Sequence, residues 1–241
     1  MLNDKCLIIL PGWGGSHETW QDFVEYNQKD YGSIHVIDLP CFGKQPCPNS
    51  AWGKDEYTEF VKKEIQKISH EGKVLLGHSF GGQIAANLAA KNPDIVDKLI
   101  LSGAAAIRPK KIMKRIAFGI LTKLGKLFFK LPIAKKFNNF ARKLLYKALD
   151  ARDYNEANGI KREIFKKIIR EDLSDLLPKI KIPTLVLWGE KDSYVPLRYG
   201  KKIFKLIPNS KMHIFKKGRH GLYKFNKEEM SLFIKEFLSN D

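Results

Sequence analysis

The run Gly77-His78-Ser79-Phe80-Gly81-Gly82 follows directly on the apolar residues Val74-Leu75-Leu76 and precedes a small-residue apolar segment, 83–91, with helical character. A serine hydroxyl, with a pKa far above neutrality, is a poor nucleophile unless a tight turn presents it to a base and to an anion-stabilising pocket. Gly77, Ser79 and Gly81 meet the G-x-S-x-G spacing of such a turn, and the strand before and helix after supply the context it needs. A turn of this kind restricts the chain to architectures in which a buried strand delivers a helix at its carboxyl end.

A serine nucleophile needs a histidine to take its proton and a carboxylate to orient that histidine, and on this scaffold they follow in the order Ser, Asp or Glu, His. The apolar segment 182–189 ends in Gly189, and Asp192 sits just beyond it in Glu190-Lys191-Asp192-Ser193-Tyr194-Val195-Pro196. A further strand, 211–215, runs into Gly218-Arg219-His220-Gly221. Taken singly, Asp192 reads equally well as a helix cap and His220 as a surface histidine. Three such residues in this order, each past a strand end where open parallel sheets bind ligands, point to Ser79, Asp192 and His220 as a catalytic set.

The strand 6–10 enters Pro11-Gly12-Trp13-Gly14-Gly15-Ser16, a loop able to turn backbone N–H groups toward a negative oxygen. The tetrahedral intermediate of acyl transfer needs such donors, and by position they are the amides of Trp13 and Phe80. The loop also reads as a plain glycine-rich strand-to-helix turn. It matches neither G-x-G-x-x-G nor a Walker lysine pattern, which weakens a phosphate-binding reading.

With Leu10-Pro11-Gly12-Trp13-Gly14-Gly15, Asp38-Leu39-Pro40-Cys41-Phe42-Gly43, Gly77 to Gly82, the 183–196 strand and acid loop, and Gly218 to Gly221, the chain resembles the α/β-hydrolases, in the serine esterase and lipase branch with a helical cap. The Gly-Trp-Gly loop is similar to that of carboxylesterases acting on pimeloyl-type methyl esters. The resemblance implies an α/β fold with a mostly parallel sheet flanked by helices, and ester hydrolysis through Ser79, His220 and Asp192. Lactonase (acyl-homoserine lactones included), C–C bond hydrolase and perhydrolase chemistry use the same triad and stay open. Pro11 stands where relatives usually have histidine, and Cys41 where they have glycine. Relatives usually begin with an antiparallel hairpin that has no counterpart here, so the expected sheet has six strands.

Helices are expected near 19–26, 55–69 and 83–91, and strands at 34–38, 74–76 and 98–102. This alternation argues for a parallel sheet covered on both faces, with 1–105 and 182–241 as the core. Residues 106–181 break the alternation and are expected as a helical cap. The opening residues lack a signal pattern and no apolar run approaches a membrane span, so the expectation is a cytoplasmic protein. Cys6, Cys41 and Cys47 form an odd set without metal-ligand spacing; Cys6 reads as a buried strand residue, while Cys41 and Cys47 either bridge one loop or, as expected in a reducing compartment, stay free, with Cys41 at the rim of the site. Of the other histidines, His78 reads as packed within the turn and His17 as a candidate substrate neighbour. No metal or organic cofactor is implied.

The formal net charge of +17 concentrates in one place. Between Asp97 and Asp150 there are no acidic residues and fourteen lysines and arginines. Ile116, Ile120, Leu121, Leu124, Leu127, Phe128 and Leu131 fall on one helical arc, with Lys111, Arg115, Lys123, Lys126 and Lys130 across from it. Three readings compete: a cap with solvated lysines, attraction to anionic lipid or an acidic substrate, and nucleic-acid binding, for which no recognition motif accompanies the charge. A peripheral membrane or lipid-binding protein on a hydrolase scaffold is thus the alternative of a different class. Residues 153–177 return to mixed charge, with Ile160, Ile164, Phe165, Ile168 and Ile169 as the expected buried face.

Overall fold

Six parallel strands form one sheet in the order β2-β1-β3-β4-β5-β6. The computed structural model describes residues 2–108 and 159–239. The strands are β1 (Leu2–Leu10), β2 (Tyr31–Val36), β3 (Lys73–His78), β4 (Lys98–Ser102), β5 (Thr184–Gly189) and β6 (Ser210–Phe215). Between and after them run helices α1 (His17–Asn27), α2 (Lys54–Gln66), α3 (Phe80–Lys91), α4 (Gly159–Ile168), α5 (Leu197–Leu206), α6 (Leu222–Phe225) and α7 (Lys227–Ser239).

The apolar runs of β1 (residues 6–10), β3, β4 and β5 reflect burial on both faces, as parallel sheets require. Successive side chains divide between two cores. Ile8, Leu10, Leu75, Leu99, Leu101, Val186 and Trp188 face Phe80, Ile84 and Leu88 of α3, Val61 and Ile65 of α2, and Ile203 of α5. Leu7, Ile9, Val74, Leu76, Ile100, Leu185 and Leu187 face Trp20 and Phe23 of α1 and Met230, Ile234 and Phe237 of α7. The period of two fixes the register, because a slip by one residue would exchange the two sets.

β4 coincides end for end with its expected span, and the sheet has the six strands expected. β2 begins three residues earlier and ends two residues earlier than the pattern suggested. Leu2 pairs with Tyr31, which draws the start of β2 back, and Asp38 leaves the ladder to accept the N–H groups of His17 at 2.6 Å and Lys44 at 3.1 Å.

By compactness the chain divides into Met1–Ile107 with Gly159–Asp241, and Arg108–Asn158. Helix α4, expected within the cap, thus belongs to the same unit as the sheet, where Ile164 and Ile168 are buried. Ile169, expected on the same face, is exposed, because α4 ends at Ile168 and the chain turns away. The basic amphipathic stretch around 111–131 lies outside the described residues.

Candidate active site

Ser79 sits between β3 and α3 with φ 53° and ψ −113°, a conformation rarely taken by a residue with a side chain. Its N–H donates to the Ser102 carbonyl at 3.0 Å, and its own carbonyl accepts from Gln83 at 3.1 Å and Ala105 at 2.9 Å, so the strained turn is held from both sides. Strain of this order, about 1–3 kcal/mol, persists only where surrounding bonds over-determine the backbone. Gly81 lets the turn close: a Cβ there would collide with the Leu10 carbonyl oxygen.

His220 and Asp192 meet directly. The imidazole Nδ1 lies 2.7 Å from Asp192 Oδ2, with the carboxylate side chain fully covered and the imidazole mostly so. The other carboxylate oxygen, Oδ1, accepts the N–H groups of Tyr194 at 2.9 Å and Val195 at 2.8 Å. Both loops leave the carboxyl ends of their strands, β5 and β6. Gly103, the residue after Ser102, lies against the pair. With φ 55°, it leaves room such that a Cβ would lie 3.1 Å from His220 Nδ1 and 3.4 Å from Asp192 Oδ2.

The loop after β1 packs against the same turn, since a Cβ on Gly12 would lie 3.2 Å from Ser79 Cβ. The Trp13 ring stands edge-on to Phe42 at 4.8 Å, Phe165 at 5.0 Å and Phe80 at 5.7 Å. Among the described residues, neither the Trp13 nor the Phe80 backbone N–H donates to a protein acceptor. Phe80 is the first residue of α3, where helix N–H groups lack internal partners.

Residues 5–227 match the alpha/beta hydrolase fold family. The chain belongs to that family. Among its curated relatives, the pimeloyl-[acyl-carrier protein] methyl ester esterase of Vibrio campbellii is 26% identical over 96% of this chain and 93% of its own. The 2-hydroxy-6-oxononadienedioate/2-hydroxy-6-oxononatrienedioate hydrolase of Cupriavidus pinatubonensis is also 26% identical, over 98% of this chain and 87% of its own. A solved membrane phospholipase A shares the fold with a TM-score of 0.74 at 24% identity, covering 99% of this chain and 80% of that one.

Several features of this alpha/beta hydrolase were not legible beforehand. Cys41 and Cys47 are joined in a disulfide, not free as expected. Cys41 N–H donates to the Pro46 carbonyl at 3.2 Å, which folds the short loop back so that the two residues, six apart, have Cα atoms within 4.1 Å. Cys41 is buried. His17 faces Asp38, its Nδ1 3.8 Å from the carboxylate.

His78 packs within the turn. Its Nδ1 lies 3.0 Å from the Ser102 carbonyl, and its ring lies 4.7 Å from that of His220. Burial, with the charge of His220 adding to it, pushes the His78 imidazole well below the usual histidine range, against the opposing bond to Ser102. His78 is therefore neutral, with Nδ1–H donating.

Proposed function

We propose that this alpha/beta hydrolase cleaves carboxylic esters of small to medium acyl chains through an acyl-enzyme. Ser79 Oγ attacks the ester carbonyl as His220 takes its proton. Asp192 holds the imidazole in the tautomer that presents Nε2 and stabilises the imidazolium. The amides of Trp13 and Phe80 receive the oxyanion. The imidazolium then protonates the departing alkoxide, and water, activated by the same imidazole, releases the acid. The substrate is a small-molecule ester or, by the same chemistry, a lactone.

The observation that carries this reading is the 2.7 Å His220–Asp192 pair at the strand ends beside a serine in a strained turn. The esterase among the relatives supports ester cleavage. The test is labelling with a fluorophosphonate, mapped by peptide mass, together with burst kinetics on p-nitrophenyl esters of graded chain length. Label is expected on Ser79, and Ser79→Ala is expected to lower kcat/KM by about 10⁴-fold or more with the fold intact. Turnover retained by the alanine variant would refute the nucleophile.

A C–C hydrolase reading is favoured by the hydrolase from Cupriavidus. Cleavage of a vinylogous 1,5-diketone, with no burst on any ester, would select it over the esterase reading.

A further inference from the structure

Tyr194 lies on the turn that carries Asp192, and its ring is stacked on the His220 imidazole, with centroids 5.1 Å apart and planes at 23°. The ring is 50% exposed, so burial does not explain its placement. The backbone does. Tyr194 and Val195 N–H groups both donate to Asp192 Oδ1, and Trp188 Nε1–H, from β5, donates to the Val195 carbonyl at 2.8 Å. One short segment thus anchors the carboxylate, itself fixed on the sheet, and sets an aromatic face against the imidazole that the carboxylate holds.

We propose that Tyr194 is a positioning residue for His220: its ring keeps the imidazole aligned with Asp192 and stabilises the positive charge that the imidazole acquires on taking the serine proton. This rests on the Ser79–His220–Asp192 reading above. A cation within about 6 Å of an aromatic centroid is attracted by the ring's negative face, an effect of roughly two- to fivefold in an equilibrium at a partly exposed site. Asp192 Oδ2 is bonded to the His220 imidazole, and the rings of His78 and Tyr194 pack on it. Burial holds His78 well below the usual histidine range, so this neighbour brings no positive charge against the imidazole.

The test is the second-order rate of fluorophosphonate labelling at Ser79 between pH 5 and 9, for wild type, Tyr194→Phe and Tyr194→Leu. Its acid limb reports protonation of the base and does not depend on knowing the natural substrate. Phe, which keeps the ring, is expected to match wild type. Leu, which keeps bulk but has no π face, is expected to label about two- to fivefold more slowly, with its acid limb displaced by about half a pH unit to lower pH, because the charged imidazole has lost a favourable partner. A purely structural role would lower the melting temperature without moving that limb. An unmoved limb in the Leu variant, or a Phe variant that behaves like Leu, overturns the proposal. Tyr194→Met gives the same comparison if the Leu variant does not fold. Failure of wild type to label at Ser79 would instead overturn the catalytic reading on which the proposal stands.

Discussion

The Ser102 carbonyl accepts two bonds from consecutive residues, the Ser79 backbone N–H and the His78 Nδ1–H, each at 3.0 Å. One acceptor at the end of β4 therefore fixes both the Ser79 backbone and a buried imidazole that packs on His220. Burial holds that imidazole well below the usual histidine range, against the pull of its bond to Ser102.

Its consequence is acid lability. The folded-state pKa of His78 lies well below 6.5, so the unfolded chain binds the extra proton first as pH falls. The associated stability is fully present above pH 6.5 and is lost below it, with a limiting slope of about 1.4 kcal/mol per pH unit. His78→Asn retains a side-chain donor and has no group titrating there. Urea midpoints from pH 7.5 to 5 are expected to fall less steeply for this variant than for wild type; parallel curves would refute the assignment.

Gly103→Ala separates stability from activity. The backbone at φ 55° is costly for alanine by about 1–2 kcal/mol, and the new methyl lies against the His220–Asp192 bond. The expected result is a folded protein with a modestly lower melting temperature and a loss of kcat far larger than that cost implies. Activity falling only in proportion to the unfolded fraction would argue that the pair tolerates displacement.

Reduction of Cys41–Cys47 tests the loop that replaces a glycine turn. Cys41 has φ 77°, a conformation that favours glycine. Closing so short a loop restricts the unfolded chain by about 2 kcal/mol on the loop-entropy account. Next in sequence, Phe42 packs on Trp13, so loosening the loop reaches the turn that carries the Trp13 amide. Cys47→Ser, or treatment with a dithiol, is expected to lower the melting temperature and to reduce kcat several-fold with little change in KM. Unchanged kcat would show that Phe42 is held by the core alone.

The sequence made short-range relations legible. Ser79, Asp192 and His220 each follow a strand with a clear apolar run, and the parallel neighbours β5 and β6 bring Asp192 and His220 into contact. Relations that depend on how a loop closes were not legible. Cys41 and Cys47 were expected free, because nothing local announces the Pro46 bond that folds their loop back. Tyr194 looked like any loop tyrosine, since its ring direction follows from two hydrogen bonds to a carboxylate whose orientation is itself tertiary. Asp38 was counted in β2 because its neighbours are apolar, yet its carboxylate serves the loops on either side.

The clamp between α2 and α3 gives a second, weaker acid dependence. Burial works against ionising Asp55, but hydrogen bonds from Lys91 at 2.7 Å and Asn87 at 2.9 Å, together with the charges of Lys54 and Lys91, hold its carboxyl at about 2. The folded pKa lies below the ordinary 3.8, so the contribution is fully present above about pH 4 and is lost as pH falls through 2. The side chain is 54% exposed, and solvent and salt screen it, so its worth is below about 1 kcal/mol. Asp55→Asn is expected to lower stability slightly at pH 6 and less at pH 2, with the difference shrinking in 1 M salt on the order expected for an exposed ion pair. A loss of equal size at both pH values would assign the effect to the Asn87 hydrogen bond alone.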